Sequence, residues 1–364
     1  MILRIFGVSV AVALVGLVAG VLYGGPTGLL LTAVLIVLEV SISFDNAVVN
    51  ATILQRMSRF WQQIFLTVGV VIAVFGMRLV FPLAIVGLTA SLGPIEAVRL
   101  ALEKGDPDTP GTYGYLLHEA HPAIAAFGGI FLLMLFLDFI FAERDVHWIA
   151  PVERVLARAG RLGNLSVLVA IVTLAIGGYV LAPADKVSTV LISGLLGLGV
   201  YLAVNGLGEY FDSRLDRETD GGPSGLVQAT GKAAFFLFLY LEVIDASFSF
   251  DGVVGAFAIT SDPVIIALGL GVGAFFIRSI TIYLVRTGSL ARYPYLEHGA
   301  MWAIGALAAV LIVSIAHEVP EWVTGALGVG FIVAALITSV RHNRLAAASP
   351  TPESRVVTYG ASGH

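Results

Sequence analysis

Cysteine is absent from this 364-residue chain, and charge is scarce: Asp, Glu, Lys and Arg together make up 12% of it. Without cysteine there are no structural disulfides, no thiolate metal centres and no thiol catalysis, while the redox compartment is left open. A soluble domain carries roughly twice this charge fraction. The formal net charge of −5 is spread over loops and tails, so the chain has no basic surface of the kind nucleic acid requires. Apolar residues take up the difference. They form 58% of the chain, and a mean hydropathy of +0.94 predicts an integral, all-α membrane protein.

Apolar runs of spanning length fall at 5–23, 28–54, 62–90, 122–142, 164–183, 187–207, 229–258, 263–286, 298–316 and 320–340, predicting a polytopic bundle of about ten helices. The first run resembles a secretory leader. It is long enough to span, however, and ends at Gly24-Gly25-Pro26 without a small-residue cleavage pattern, so it reads as a retained helix. With the N-terminus in the cytoplasm, 15 of the 20 Lys and Arg residues fall on that side, while Arg99, Lys104 and Lys186 fall on the other. That bias predicts a multi-pass protein of the plasma (inner) membrane with both termini cytoplasmic. A single transmembrane domain is expected over 1–345, with halves near 1–183 and 187–340 and a disordered Ser-, Pro- and Gly-rich tail at 346–364. The external stretch 91–121 reads as a solvated loop holding His118, Glu119 and His121.

Two apolar runs carry nearly the same polar insert, LEVSISFDNAVV at 38–49 and VIDASFSFDGVV at 243–254. Aligned on Ser-Phe-Asp, Glu39 falls opposite Asp245, Ser43 opposite Ser249 and Asp45 opposite Asp251. Residues at i, i+4, i+7 and i+11 share a helix face, so Glu39, Ser43, Asn46 and Asn50 form a polar stripe with Asp45 beside it. Glu242, Asp245, Ser249 and Gly252 form the matching stripe, with Asp251 beside it, and both runs are long enough to be interrupted at these acids. The inferred orientation makes the two runs antiparallel, as in the inverted-topology repeats of secondary transporters, here two halves of five helices each. Arg78 and Arg278 each sit in the run after a motif.

With Asp138 in the fourth run, six carboxylates lie at bilayer depth. At about 3 kcal/mol each they would cost about 18 kcal/mol uncompensated, more than a typical folding stability. Arg78 and Arg278 as counter-ions cannot answer all six, so the remainder must be protonated, hydrated or paired with a cation. Carboxylates, an Asn amide and Ser hydroxyls form an all-oxygen ligand set, which suits hard divalent ions, and the carboxylates can also carry H⁺. The candidate metal residues are Glu39, Ser43, Asp45, Asn46, Glu242, Asp245, Ser249, Asp251 and Asp138. No organic cofactor is expected, and the partners implied are the lipid bilayer, a divalent metal ion as substrate and H⁺ as a coupling ion.

At these residues the chain resembles the TerC family of membrane proteins, within the LysE-like transporter group. That family's pattern of a glutamate followed by Ser-x-Asp-Asn matches Glu39, Ser43, Asp45 and Asn46. Its second pattern, Asp-x-Phe-(Ala/Ser)-x-Asp, resembles Asp245 through Ser249 to Asp251, with one extra residue before Phe248. The resemblance implies metal-ion homeostasis by a non-enzymatic exporter, of manganese first and calcium second. Gly252 departs from it, since relatives usually carry Ser there. A membrane assembly or stress-response scaffold is the alternative reading, and an intramembrane aspartyl enzyme using Asp45 and Asp251 a more remote one.

Overall fold

The computed structural model describes residues 2–103, 108–218, 231–260, 262–317 and 319–348. Its helices are α1 (Ile2–Ile42), α2 (Phe44–Leu54), α3 (Arg59–Val71), α4 (Phe81–Thr89), α5 (Pro94–Leu102), α6 (Tyr113–Phe141), α7 (Ala150–Ala159) and α8 (Leu165–Ile176). The second part contains α9 (Val187–Glu218), α10 (Gly231–Ile259), α11 (Pro263–Thr287), α12 (Ser289–Arg292), α13 (Leu296–Ser314) and α14 (Glu321–Ala348). π-helical segments Ile72–Val80 and Gly177–Leu181 continue α3 and α8. Among the described residues there is no strand, and seven helices are long and apolar enough to cross a membrane. This is a polytopic helical membrane protein.

α1 is a hairpin of two arms. Gly24 and Gly25 leave helical geometry, Gly25 at φ 61° and ψ −150°, a region open to glycine, and Pro26 follows with no N–H to offer. The arms then lie so close that a β-carbon on Gly28 would stand 2.2 Å from the Gly20 carbonyl oxygen. α11 reveals their directions. Ile5 and Ser9 meet Ser279, and Gly16 meets Val272, so the first arm runs against α11. Leu35 meets Gly269 and Glu39 meets Gly273, so the second arm runs with it.

α6 and α11 make the interior and bury most of their length, α6 against α9 and α13, α11 against both arms of α1. The outer helices present large apolar side chains outwards, among them Leu14, Val15, Leu22, Leu195 and Ile337. Such a surface is a liability in water and the expected contact with lipid tails.

Several sequence expectations are corrected. The stretch 91–121 is no plain loop. Gly93 donates its N–H to Glu96 Oε2 at 3.0 Å and Pro94 opens α5, a favourable helix start. α6 begins at Tyr113, capped by the Thr112 hydroxyl, so His118, Glu119 and His121 are helical and Pro122 lies inside the helix instead of starting it. The first motif is interrupted at Ser43 (φ −91°, ψ 14°), whereas α10 runs unbroken through the second. α14 continues to Ala348, so 346–348 are helical; the rest of the tail, 349–364, lies outside the described residues.

The short amphipathic α7, which lies between the apolar runs at 122–142 and 164–183, is clasped to α13 through Glu153. This buried carboxylate accepts hydrogen bonds from the Trp148 backbone N–H (2.9 Å) and the Trp302 indole (3.0 Å), with His298 Nδ1 at 3.2 Å. Burial pushes the carboxyl up, but the Trp302 indole, His298 and the neighbouring backbone N–H groups outweigh it and hold the group below its ordinary value of 4.5. A depressed carboxyl adds stability above its unfolded value and loses it as pH falls through the folded one.

Two outcomes are expected from melting the detergent-solubilised protein. Gly28→Val should lower stability by about 1–3 kcal/mol through overpacking against Gly20, whereas Gly7→Ala, with nothing near its β-carbon, should be neutral. Stability should fall on acidification below about pH 4.5, and Glu153→Gln should be less stable at neutral pH and flatter in acid.

Candidate polar site

Glu39 sits in the last turn of α1, one turn before the break at Ser43. The Ser43 hydroxyl donates to Glu39 Oε1 at 3.0 Å, and Arg78 forms an ion pair with the same carboxylate, both side chains buried. Arg78 stands in the π-helical segment and also donates to the Ala73 carbonyl at 2.7 Å. π turns occur often where a helix must aim a functional side chain.

The second motif repeats this arrangement from the other side. Asp245 Oδ2 accepts from Arg278 at 3.2 Å, and Oδ1 accepts from the Asn46 amide of the first motif at 2.8 Å. Arg278 is held in turn by the carbonyls of Phe65 (3.2 Å) and Gly69 (3.1 Å), and stacks on the Phe65 ring at 3.7 Å. Glu242 lies 3.5 Å from the same guanidinium. It is 5% exposed, and neither of its carboxylate oxygens accepts a hydrogen bond among the described residues. Both amide atoms of fully buried Asn50 are likewise unsatisfied there.

Two contacts set the register of the motif helices. Asn46 meets Asp245, and Gly252 lies against Glu39, where a β-carbon would stand 3.1 Å from Oε2. Seven residues back along the first motif match seven residues forward along the second, so the two polar faces meet antiparallel. The structure thus gathers Glu39, Ser43, Asn46, Glu242, Asp245, Arg78 and Arg278. The side chains of Asp45, Ser249 and Asp251 lie outside the described ones; their helical backbones flank these contacts, Asp45 beside Asn46 and Asp251 beside Gly252.

Asp138 belongs to a different cluster, where its Oδ2 accepts from the Tyr201 hydroxyl at 2.7 Å with the Tyr240 ring 6.3 Å from that of Tyr201. Sequence reasoning missed both tyrosines, although a tyrosine in an apolar run implies a partner for its hydroxyl. It also missed Gly69, where a β-carbon would stand 2.6 Å from Glu242 Oε1. At the other end of α6, His118 and His121 stack at 6.5 Å and Glu119 pairs with Lys186 at 3.0 Å. Among the described residues, no three His, Asp or Glu side chains are grouped as a metal centre.

In the described part of the site two guanidiniums answer three carboxylates: Glu39, Asp245 and Glu242. Fold and site together define a polytopic membrane protein with a buried, charge-paired polar centre built from two motifs. The chain belongs to the family described as "Protein of unknown function (DUF475)", whose model matches residues 44–346. The match begins at Phe44, after Glu39 and the first hairpin. No curated protein and no solved structure matches the chain.

Removing one partner of a buried ion pair costs about 3–5 kcal/mol, because the other is left uncompensated. Arg278→Met should therefore destabilise the protein by about that amount in thermal melts. Neutralising Asp245 as well should recover part of the loss, whereas Arg99→Gln, in an exposed pair, should change stability by less than about 1 kcal/mol.

Proposed function

We propose that this chain is a secondary transporter of divalent metal cations, manganese first and calcium second, exporting them by alternating access around the two-motif site. Glu39, Asp45, Asn46, Asp245 and Asp251 coordinate the ion, with Ser43 and Ser249 assisting. The observation that carries this reading is the antiparallel meeting of the two motifs, joined by the Asn46–Asp245 hydrogen bond.

The pairing of charges supports an inverted repeat. Glu39 with Arg78 mirrors Asp245 with Arg278: sequence alignment sets the two acids opposite each other, and each arginine lies in the helix after its motif. Each arginine-bearing helix also packs through a glycine against the other motif's glutamate: Gly69 against Glu242 and Gly273 against Glu39. On this reading the α1 arms count separately and α8 and α10 join the seven spanning helices, which makes ten passes: the first arm, the second arm with α2, α3 through α4, then α6, α8, α9, α10, α11, α13 and α14. An even number agrees with the basic bias that puts both termini in the cytoplasm of a plasma (inner) membrane protein.

The chemistry follows from the charge count. Without cargo, the arginines neutralise two carboxylates and shield them from lipid. A divalent ion offers the same compensation with more ligands, so it competes with the guanidiniums for the oxygens and loosens contacts that hold the two halves together. Glu242, left with a shared counter-ion, is a carboxyl able to take up H⁺ in exchange. All donors are oxygens, the preference of Mn²⁺ and Ca²⁺, and the TerC resemblance points the same way.

The reading is tested by flux of Mn²⁺ and Ca²⁺ into liposomes carrying the purified protein. Asp45→Asn and Asp251→Asn should each slow transport at least about tenfold, the loss of one charged ligand being worth well over 1.4 kcal/mol. Wild-type rates in both variants would sink the coordination claim.

A further inference from the structure

α7 points to a second interaction, with the lipid bilayer's own headgroups. The helix lies across the ends of membrane-spanning elements. Gly160, directly after it, is pressed against Phe141 at the end of α6, where a β-carbon would stand 2.3 Å from the Phe141 carbonyl oxygen. Glu153 ties its inner face to His298 and Trp302 in the first turns of α13, and Trp148 donates to Thr338 of α14 at 2.9 Å. Trp148, Trp302, Tyr293 and Tyr295 gather at this end, the residue types that mark a membrane–water boundary.

The outer face is divided in two. Val155 (58% exposed), Leu162 (67% exposed) and Val152 form an apolar strip. Arg154 and Arg158 border it, both exposed and with no ion pair among the described residues, whereas Arg161 is neutralised by Glu143 at 2.8 Å. The strip leads within a few residues into α8, whose Leu168, Ile171 and Val172 face outwards as lipid-contacting side chains do. An amphipathic helix at the boundary with free arginines along an apolar edge is the pattern of an interfacial helix on an anionic surface.

We propose that α7 lies in the plane of the membrane boundary and binds anionic phospholipid headgroups through Arg154 and Arg158, with Val152, Val155 and Leu162 inserted among the upper acyl carbons. The occupant is the anionic lipid of the surrounding leaflet. The Glu153 clasp makes the helix a fixed part of the bundle, so lipid charge is felt directly at α13 and α14. This inference does not rest on the transport reading.

The cysteine-free chain makes the test direct. The full-length protein carrying Val155→Cys takes one spin label and is reconstituted into phosphatidylcholine vesicles with and without phosphatidylglycerol. The label should collide more with oxygen than with a water-soluble nickel complex. It should also lose mobility when phosphatidylglycerol is present, an effect that salt reverses. With spin-labelled lipids, Arg154→Gln with Arg158→Gln should reduce the preference for phosphatidylglycerol over phosphatidylcholine, roughly fivefold per arginine. The proposal is overturned if the Val155 label is as open to nickel as one at exposed Thr109→Cys, or if the double variant keeps the wild-type lipid preference.

Discussion

A carboxylate placed among apolar helices must be answered by a charge, a proton or a ring of donors, and the centre of this protein is organised around that requirement. Glu39 has Arg78 and the Ser43 hydroxyl; Asp245 has Arg278 and the Asn46 amide. Neither counter-ion is local. Each arginine comes from a later helix, and Asn46 comes from the other motif. Satisfying the acids therefore draws α1, α2, the π-helical segment, α10 and α11 together along one antiparallel helix contact, with the two ion pairs seven residues apart on it. The glycines at 69, 252 and 273 are the steric counterpart, since a side chain at any of them would intrude on a buried glutamate or its counter-ion.

Residues whose role is set by composition and period were legible in the sequence. The spanning runs, the glycine–proline break after the first of them, the duplicated polar insert and the two arginines all stand out against an apolar background. That background is why they are readable, because a charge in such a run is costly enough to demand an explanation. The hairpin at Gly24 and Gly25 coincides with the boundary expected between the first two runs.

What escaped reading depends on tertiary contact. Pro122 looked like the start of a helix, yet α6 begins earlier because Thr112 supplies a cap and the buried faces of Tyr113 and Leu117 reward the extension. α7 was invisible because ten residues with a buried glutamate have no spanning signature; the clasp that holds Glu153 comes from Trp302 and His298, far along the chain. Asp138 read as one more acid of the site, and only the fold shows Tyr201 claiming it. The register that sets Gly252 against Glu39 is likewise set by helices touching, which no single segment encodes.

One inequality between the motifs reaches further than its size suggests. The helix is broken at Ser43 and whole at the corresponding place in α10. In the transporter proposed above, two identical halves related by a two-fold axis in the membrane plane would rest equally well facing either side, since exchanging them would reproduce the same molecule turned over. An interruption present in one motif alone would remove that degeneracy and favour one of the two postures. In that proposed cycle the likeness of the motifs would supply the two postures, and the break at Ser43 the preference between them.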